Sequence, residues 1–263
     1  MGNLLLPERW TRIIDLVDQR GGVTVEEVAH ELAVSPATAR RDLARIHERG
    51  LIRRTHGGAA PSPSVRIGRT LAESRHTNPE EKERIGRAAA ALVKPGETLM
   101  LDGGFTTYQV AAHIAVSPFT VVTNSFDVVQ AVLGREGATI VFLGGTLNLI
   151  SGTTVGPLTQ EQALQLWADR AILGADALSP AYGISSPNAE TAQTKKAMAQ
   201  RAGKLMVVAD HTKLGGRAVY HVAPVQSIAT LVTDDRAEPG MLEAFRAAGV
   251  EVVVAPAGAT DGR

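Results

Sequence analysis

Along the first fifty residues the apolar side chains recur at helical spacing. Ile13, Ile14, Leu16 and Val17 form one stripe, which Pro7 can open at its first helical position and Gly21-Gly22 close. Thr24 with Glu27 three residues on has the form of a capping box, and Val25, Val28, Ala29 and Leu32 make the inner face of a short second helix. Ser35 caps a third helix with Pro36 at its first position, and Ala39, Leu43 and Ile46 fall at i, i+4 and i+7 toward a core. Thr38, Arg41 and Arg45 then lie on the opposite face, with Arg40 at its flank. The run Leu51-Ile52-Arg53-Arg54-Thr55-His56-Gly57-Gly58 reads as a short strand and a glycine turn.

Residues 59–64, AAPSPS, have no apolar periodicity and read as a hinge. From about residue 78 helical stretches (79–93, 105–115, 125–133, 157–168, 190–202 and 239–248) alternate with β-rich runs. Those runs are 98–101, 120–123, 139–143, 170–173, 204–209, 228–233 and 251–254. Strands alternating with helices predict right-handed βαβ units and a parallel sheet. The expected organisation is a helical head at 1–58, a linker at 59–77 and an α/β body at 78–263.

Charge sharpens this picture. Of the 263 residues, 27 are Lys or Arg and 27 are Asp or Glu, a formal net charge of zero that argues superficially against nucleic acid. The charge is unevenly placed: residues 35–58 hold six arginines against Asp42 and Glu48, a net +4. Two stretches of 24 residues, 103–126 and 137–160, hold no Asp, Glu, Lys or Arg. Gly, Pro, Asn and Thr interrupt both, which fits buried strands and neutral loops better than membrane spans. With no cysteine, disulfides and thiolate chemistry are excluded, and a cytoplasmic location is expected. Three leucines near the start are too short a run for a signal peptide.

A short helix, a turn and a second helix with outward arginines form the helix-turn-helix arrangement, and Arg can fork onto guanine or phosphate in the major groove. The rival reading is a solvated arginine face paired with Asp42 and Glu48.

In a parallel sheet, ligands sit at the carboxyl ends of the strands. There the sequence places Asp102-Gly103-Gly104-Phe105-Thr106-Thr107 at the opening of a helix, Asn124, Gly145, Asp176 with Glu190 downstream, and Asp210 with Lys213. Glycines and free helix N–H groups favour an anion, and the hydroxyls and carboxylates suit a polyol. Taken singly, each could be a turn, a cap or a surface lysine. The seven histidines show no metal-ligand spacing, no serine sits in a G-x-S-x-G elbow, and no cofactor is expected.

VSPATARRDLARIHERGLIRRTHGGA resembles the N-terminal signature of the DeoR family of bacterial transcriptional regulators, V-S-x-x-T-I-R-R-D-L with a wing ending R-x-H-G-G-A; Ala39 replaces the usual Ile. EKERIGRAAA, LMLDGGFTT, VVTNS, LGGTLN, LGADAL, TKKAM, VVADHTKLG and LVTDD resemble the DeoR C-terminal sensor domain, similar in fold to ribose-5-phosphate isomerase. The resemblance implies a winged helix-turn-helix contacting double-stranded operator DNA through Ser35, Thr38, Arg40 and Arg41. Arg45, Arg53, Arg54 and His56 are further candidates. It also implies a Rossmann-like sensor in which a sugar phosphate places its phosphate near residues 104–107 and its sugar near Asn124, Asp176, Asp210 and Lys213. The implied protein is a homo-oligomeric repressor, dimer or tetramer, of a carbohydrate operon. The family loop D-S-G-T-T departs here at Gly103 and Phe105, losing two hydroxyls and predicting weaker phosphate binding or a different effector. The rivals are an aldose–ketose isomerase and a non-catalytic sugar-phosphate binder. Isomerisation needs a general base, and Leu173 stands where the related isomerases have the first carboxylate of their D-G-A-D turn. No catalytic residue is therefore expected.

Overall fold

The computed structural model describes residues 6–20, 22–48, 52–55, 57–61 and 75–257. It divides into two compact units, Met1–Arg69 and Thr70–Arg263.

The first unit runs α1 (Leu6–Arg20), β1 (Val23–Thr24), α2 (Val25–Glu31), α3 (Pro36–Glu48), β2 (Ile52–Thr55) and β3 (Gly58–Pro61). The capping box forms as the sequence predicts: Thr24 N–H donates to Glu27 Oε2 at 2.7 Å, and Glu27 N–H donates to Thr24 Oγ1 at 3.1 Å. Ile13, Val17, Val28, Leu43, Ile46 and Ile52 close a core of their own, and Ala39 is fully buried within it. Asp42 lies beneath α3 rather than on its solvent face. It accepts from Arg9 Nε at 2.7 Å and Trp10 Nε1 at 3.2 Å, so it does not neutralise the outward arginines. β3 pairs with both β1 and β2, placing in the wing's sheet residues that the sequence assigns to the linker. Gly58 permits this pairing, since a Cβ there would stand 2.0 Å from the carbonyl oxygen of Val23.

The second unit opens with α4 (Pro79–Ala90), β4 (Thr98–Leu101), α5 (Phe105–His113), β5 (Phe119–Thr123), α6 (Phe126–Val132) and β6 (Ala138–Phe142). It continues with β7 (Thr146–Asn148), β8 (Thr153–Val155), α7 (Pro157–Gln165), β9 (Ala168–Gly174), β10 (Ala177–Ser179), β11 (Gly183–Ser186) and α8 (Ala189–Gln200). Then come β12 (Ala202–Val208), β13 (Tyr220–Ala223), β14 (Ile228–Asp234), α9 (Pro239–Ala247) and β15 (Glu251–Ala255). Seven strands form a parallel sheet in the order β15-β14-β12-β9-β4-β5-β6, with an apolar cluster on each face. The predicted strands are all present within two residues of their expected ends.

The sequence reading missed two smaller sheets. β7 and β8 form a hairpin, and β10, β11 and β13 form a three-stranded antiparallel sheet. Each strand is only three or four residues long, so its pattern cannot be told from a loop. Among the described residues no helix is long and apolar enough to cross a membrane.

Candidate DNA-binding and effector sites

On the head, burying Ala39, Leu43 and Ile46 turns Arg40, Arg41 and Arg45 outward, and all three are exposed. Ser35 Oγ accepts from Thr38 N–H at 3.1 Å and lies 2.8 Å from Thr38 Oγ1, fixing both hydroxyls at the exposed N-terminal turn of α3. Arg53 projects from the wing. Arg54 is half-buried and donates from Nη1 to the carbonyl oxygen of Arg40 at 3.4 Å, a bond that ties wing to helix. His56 lies outside the described residues. One helix presenting adjacent guanidinium groups, with a basic strand beside it, is a surface suited to a major groove and its flanking phosphates.

In the second unit, neighbouring strand ends of the parallel sheet carry a row of carboxylates, two of them buried beside lysines. After β4, Asp102 accepts from Gly174 N–H at 3.0 Å and lies 2.5 Å from Lys195 Nζ, which also donates to the carbonyl oxygen of Gly174 at 2.7 Å. Both side chains are buried. Burial pushes the Asp102 carboxyl up, against the pull of Lys195. Burial also works against the lysine's charge, yet Asp102 and Asp176 more than offset it and raise its pKa. The lysine and the carboxyl thus face each other as a buried salt bridge.

After β9, Asp176 is exposed and accepts from Ser186 Oγ at 2.7 Å. After β12, buried Asp210 accepts from Asn78 Nδ2 and Thr212 N–H, each at 3.1 Å, and lies 4.0 Å from buried Lys82 Nζ. Burial raises its pKa, but the Thr212 hydroxyl, Lys213 and Lys82 outweigh that and hold the carboxyl below its ordinary value. At the end of β14, fully buried Asp234 accepts from His211 N–H at 2.7 Å, with His211 Nδ1 2.9 Å from its other oxygen. After β5, buried Asn124 donates from Nδ2 to the carbonyl oxygen of Thr154 at 2.7 Å, while its Oδ1 has no hydrogen-bond partner among the described residues. The sheet thus brings Asp102, Asn124, Asp176 and Asp210 to one edge. Glu190 stands exposed in the first turn of α8.

Lys82, Lys195 and Asp234 are the site residues that the sequence reading left out. A signal existed for the lysines. Lys82 shares the inward face of α4 with Ile85 and Ala89, and Lys195 shares that of α8 with Ala192 and Met198. A lysine at a core-facing helical position requires a buried partner.

The loop after β4 differs from expectation at Thr107 and Gly103. Gly104 caps α5 with φ +146° and supplies no side-chain bond, leaving the first-turn N–H groups available. Thr107, expected to bond the anion, is fully buried, and its hydroxyl lies 3.0 Å from the carbonyl oxygens of both Asp102 and Gly104. Its proton is already donated within the loop, so the hydroxyl braces the turn between β4 and α5. Gly103 is not simply a lost hydroxyl: a Cβ there would lie 2.1 Å from Thr153 Cγ2. The β8 methyl occupies the space a serine would need. Gly103→Ser is expected to destabilise the sensor by about 1–3 kcal/mol through overpacking, with most of the loss recovered by adding Thr153→Ser. Equal melting temperatures of the single and double variants would refute the exchange.

Phe105 stacks on Tyr108 with ring centroids 5.7 Å apart. The guanidinium of Arg75 lies 5.9 Å and 5.7 Å from those two centroids and pairs with Asp127 at 3.2 Å. The aromatic substitution therefore holds a cation against the start of α5. Gly145 has φ +146°, and a Cβ there would meet Thr159 Oγ1 at 2.0 Å, so the glycine is explained by the turn and its packing. Among the described residues no group of three or more His, Cys, Asp or Glu side chains could hold a metal ion.

The DeoR-like helix-turn-helix domain profile matches residues 9–64, and the DeoR C terminal sensor domain profile matches residues 77–235. The HTH-type transcriptional regulator GlpR of Haloferax volcanii is 33% identical over 250 residues, 95% of this chain and 98% of that protein. The chain belongs to the DeoR family. Other relatives are the transcriptional repressor GlcR of Bacillus subtilis, 33% identical over 94% of this chain and 95% of that one, and the glycerol-3-phosphate regulon repressor of Escherichia coli K12, 34% identical over 86% and 90%. As a member this chain is a DNA-binding transcriptional regulator, with α3 in the recognition-helix position. Ribose 5-phosphate isomerase A from Methanocaldococcus jannaschii has a TM-score of 0.39 and 18% identity over 52% of this chain and 55% of that chain, too loose a likeness to carry a statement about activity.

Proposed function

We infer that the chain is a cytoplasmic repressor of a carbohydrate operon, released from its operator when a phosphorylated sugar or polyol binds at the carboxyl edge of the sensor sheet. One juxtaposition supports this most directly. The uncapped N-terminus of α5 opens at the strand edge that also carries the unpartnered Oδ1 of Asn124 and the Asp102–Lys195 pair. An anion is attracted to the first, and sugar hydroxyls can bond the second. Arg75 adds positive charge on the rim, while Asp176, Glu190 and Lys213 offer further polar contacts. The relatives' names, which include a glycerol-3-phosphate regulon repressor, point to the same ligand chemistry. The working species is a homo-oligomer, dimer or tetramer, because a symmetric operator is read by two recognition helices. No catalytic role is assigned. Asp102 and Asp210 each face a buried lysine, Asp234 is bonded to His211, and Leu173 stands where an isomerase would carry a carboxylate.

The test is a gel shift on operator DNA selected from the source genome, with glycerol 3-phosphate, glucose 6-phosphate, fructose 6-phosphate and inorganic phosphate as probes. One sugar phosphate should release the DNA and raise the melting temperature without being converted; at 100 times its Kd the stabilisation is about 2.7 kcal/mol. Lys213→Ala should keep DNA binding and lose release. Turnover of the ligand would favour the isomerase, and no release by any probe would refute the proposed effector class.

A further inference from the structure

We propose that the edge strand β6 and the β7–β8 hairpin form the surface through which two copies of this chain associate. β6 is bonded to β5 on one side and has no strand on its other side among the described residues. An open edge is ordinarily guarded by Lys, Pro or an inward charge, but β6 reads Ala-Thr-Ile-Val-Phe and has none. Beside it Phe126 and Phe142 meet with ring centroids 4.9 Å apart, and both remain exposed. The hairpin adds Leu147, Leu149 and Ile150, with Leu149 85% exposed and Ile150 57% exposed. Such a concentration of large apolar side chains around an unguarded edge marks an association surface.

The occupant that fits is a second copy. A two-fold axis sets the same residues against themselves, so any charge near the axis meets its like. Residues 137–160 carry no charged side chain over 24 positions, which removes that penalty and also the charge complementarity by which unlike partners are commonly selected. Two β6 strands related by such an axis run antiparallel, the arrangement in which edge strands share their free N–H and C=O groups. Eighteen of the segment's 24 residues are not buried, and with Phe126 they come close to the roughly 20–30 residues a side of a standard interface. The hairpin is also bonded to the candidate effector loops. Thr154 N–H donates to the carbonyl oxygen of Asn124 at 2.8 Å, and Phe126 N–H donates to that of Gly152 at 3.0 Å.

The proposal rests on the reading of the chain as a symmetric oligomer, and its test separates the two. Sedimentation velocity on the full chain should show a dimer or larger species for wild type. Leu149→Glu with Ile150→Glu should raise the dissociation constant at least about tenfold while leaving the melting temperature of the dilute protein unchanged, since both side chains are exposed. The chain has no cysteine, so Thr139→Cys introduces its one thiol. Mild oxidation should join two copies through it, whereas Gln226→Cys, on a different exposed turn, should remain uncrosslinked. A wild type that is monomeric at every concentration would overturn both readings. An oligomer unmoved by the glutamates, with no crosslinking of Thr139→Cys above the control, would overturn this surface alone.

Discussion

Lys195→Met is expected to cost the sensor about 3–5 kcal/mol at neutral pH, the penalty for leaving a buried charge without its partner. Lys195 and Asp102 are both buried, their charged atoms 2.5 Å apart, and the lysine also holds the carbonyl oxygen of Gly174. Methionine keeps much of the side-chain volume, so the cost isolates the charge. At roughly 2–4 °C per kcal/mol for a domain of this size, the melting temperature should fall by roughly 6–20 °C. Removing the ammonium leaves burial to dominate Asp102, so the folded state holds a proton that the unfolded state releases above about pH 4. A group whose folded pKa is raised loses its contribution as pH rises, so the variant's deficit should shrink on acidification. Adding Asp102→Asn should recover most of the stability, because the amide oxygen still accepts Gly174 N–H and no charge is buried. Thermal melts of the single and double variants across pH check this; a deficit independent of pH and unrelieved by Asp102→Asn would exclude the buried pair as its cause.

The same pair shows how much of the site could be read from the sequence. Asp102, Asn124, Asp176 and Asp210 were legible because each follows a β-rich run, and a parallel sheet delivers its strand ends to one edge whatever lies between them. Their partners were not, because the cations come from helices far along the chain. Asn78, which bonds Asp210, precedes it by 132 residues. Sequence spacing gives no distance between α4 and the end of β12; only the stacking of helices on the sheet does. The rival pairing of Asp42 with the arginine face fails for a related reason. On α3 alone the aspartate looks like a neighbour of Arg41, yet its helical position turns it inward to Arg9 and Trp10.

Fold class was more accessible than the site. Seven β-rich runs alternating with helical stretches specify the main sheet, and the structure moved no strand end by more than two residues. The hairpin β7–β8 was invisible by the same rule, since three residues cannot display a period. That omission altered the chemistry inferred. Without Thr153 in place, Gly103 reads as a hydroxyl missing from a phosphate grip; with it, Gly103 is the residue that the Thr153 methyl leaves room for. Phe105 likewise reads as a loss until Arg75 is found against its ring.

Arg41→Ala is expected to lower operator affinity by roughly 30-fold to 25,000-fold. α3 buries Ala39, Leu43 and Ile46, which fixes Arg41 on the outward face with Arg40 and Arg45. An arginine bidentate to guanine is worth about 1–3 kcal/mol of discrimination. A symmetric complex uses the residue twice, giving about 2–6 kcal/mol, and each 1.36 kcal/mol is about tenfold. Arg41→Lys should recover only part of this, because an ammonium restores the charge without the planar fork. The salt dependence separates base reading from phosphate contact. If Arg41 reads a base, the alanine variant loses specific binding and keeps its affinity for unrelated DNA. If it holds a phosphate, both affinities fall together, and the slope of log affinity against log salt drops by about one per head. Heat stabilisation by the effector should be unchanged in either case, since Arg41 lies in the first unit and the effector residues in the second. Operator binding equal to wild type in a gel shift at two salt concentrations would remove Arg41 from the interface.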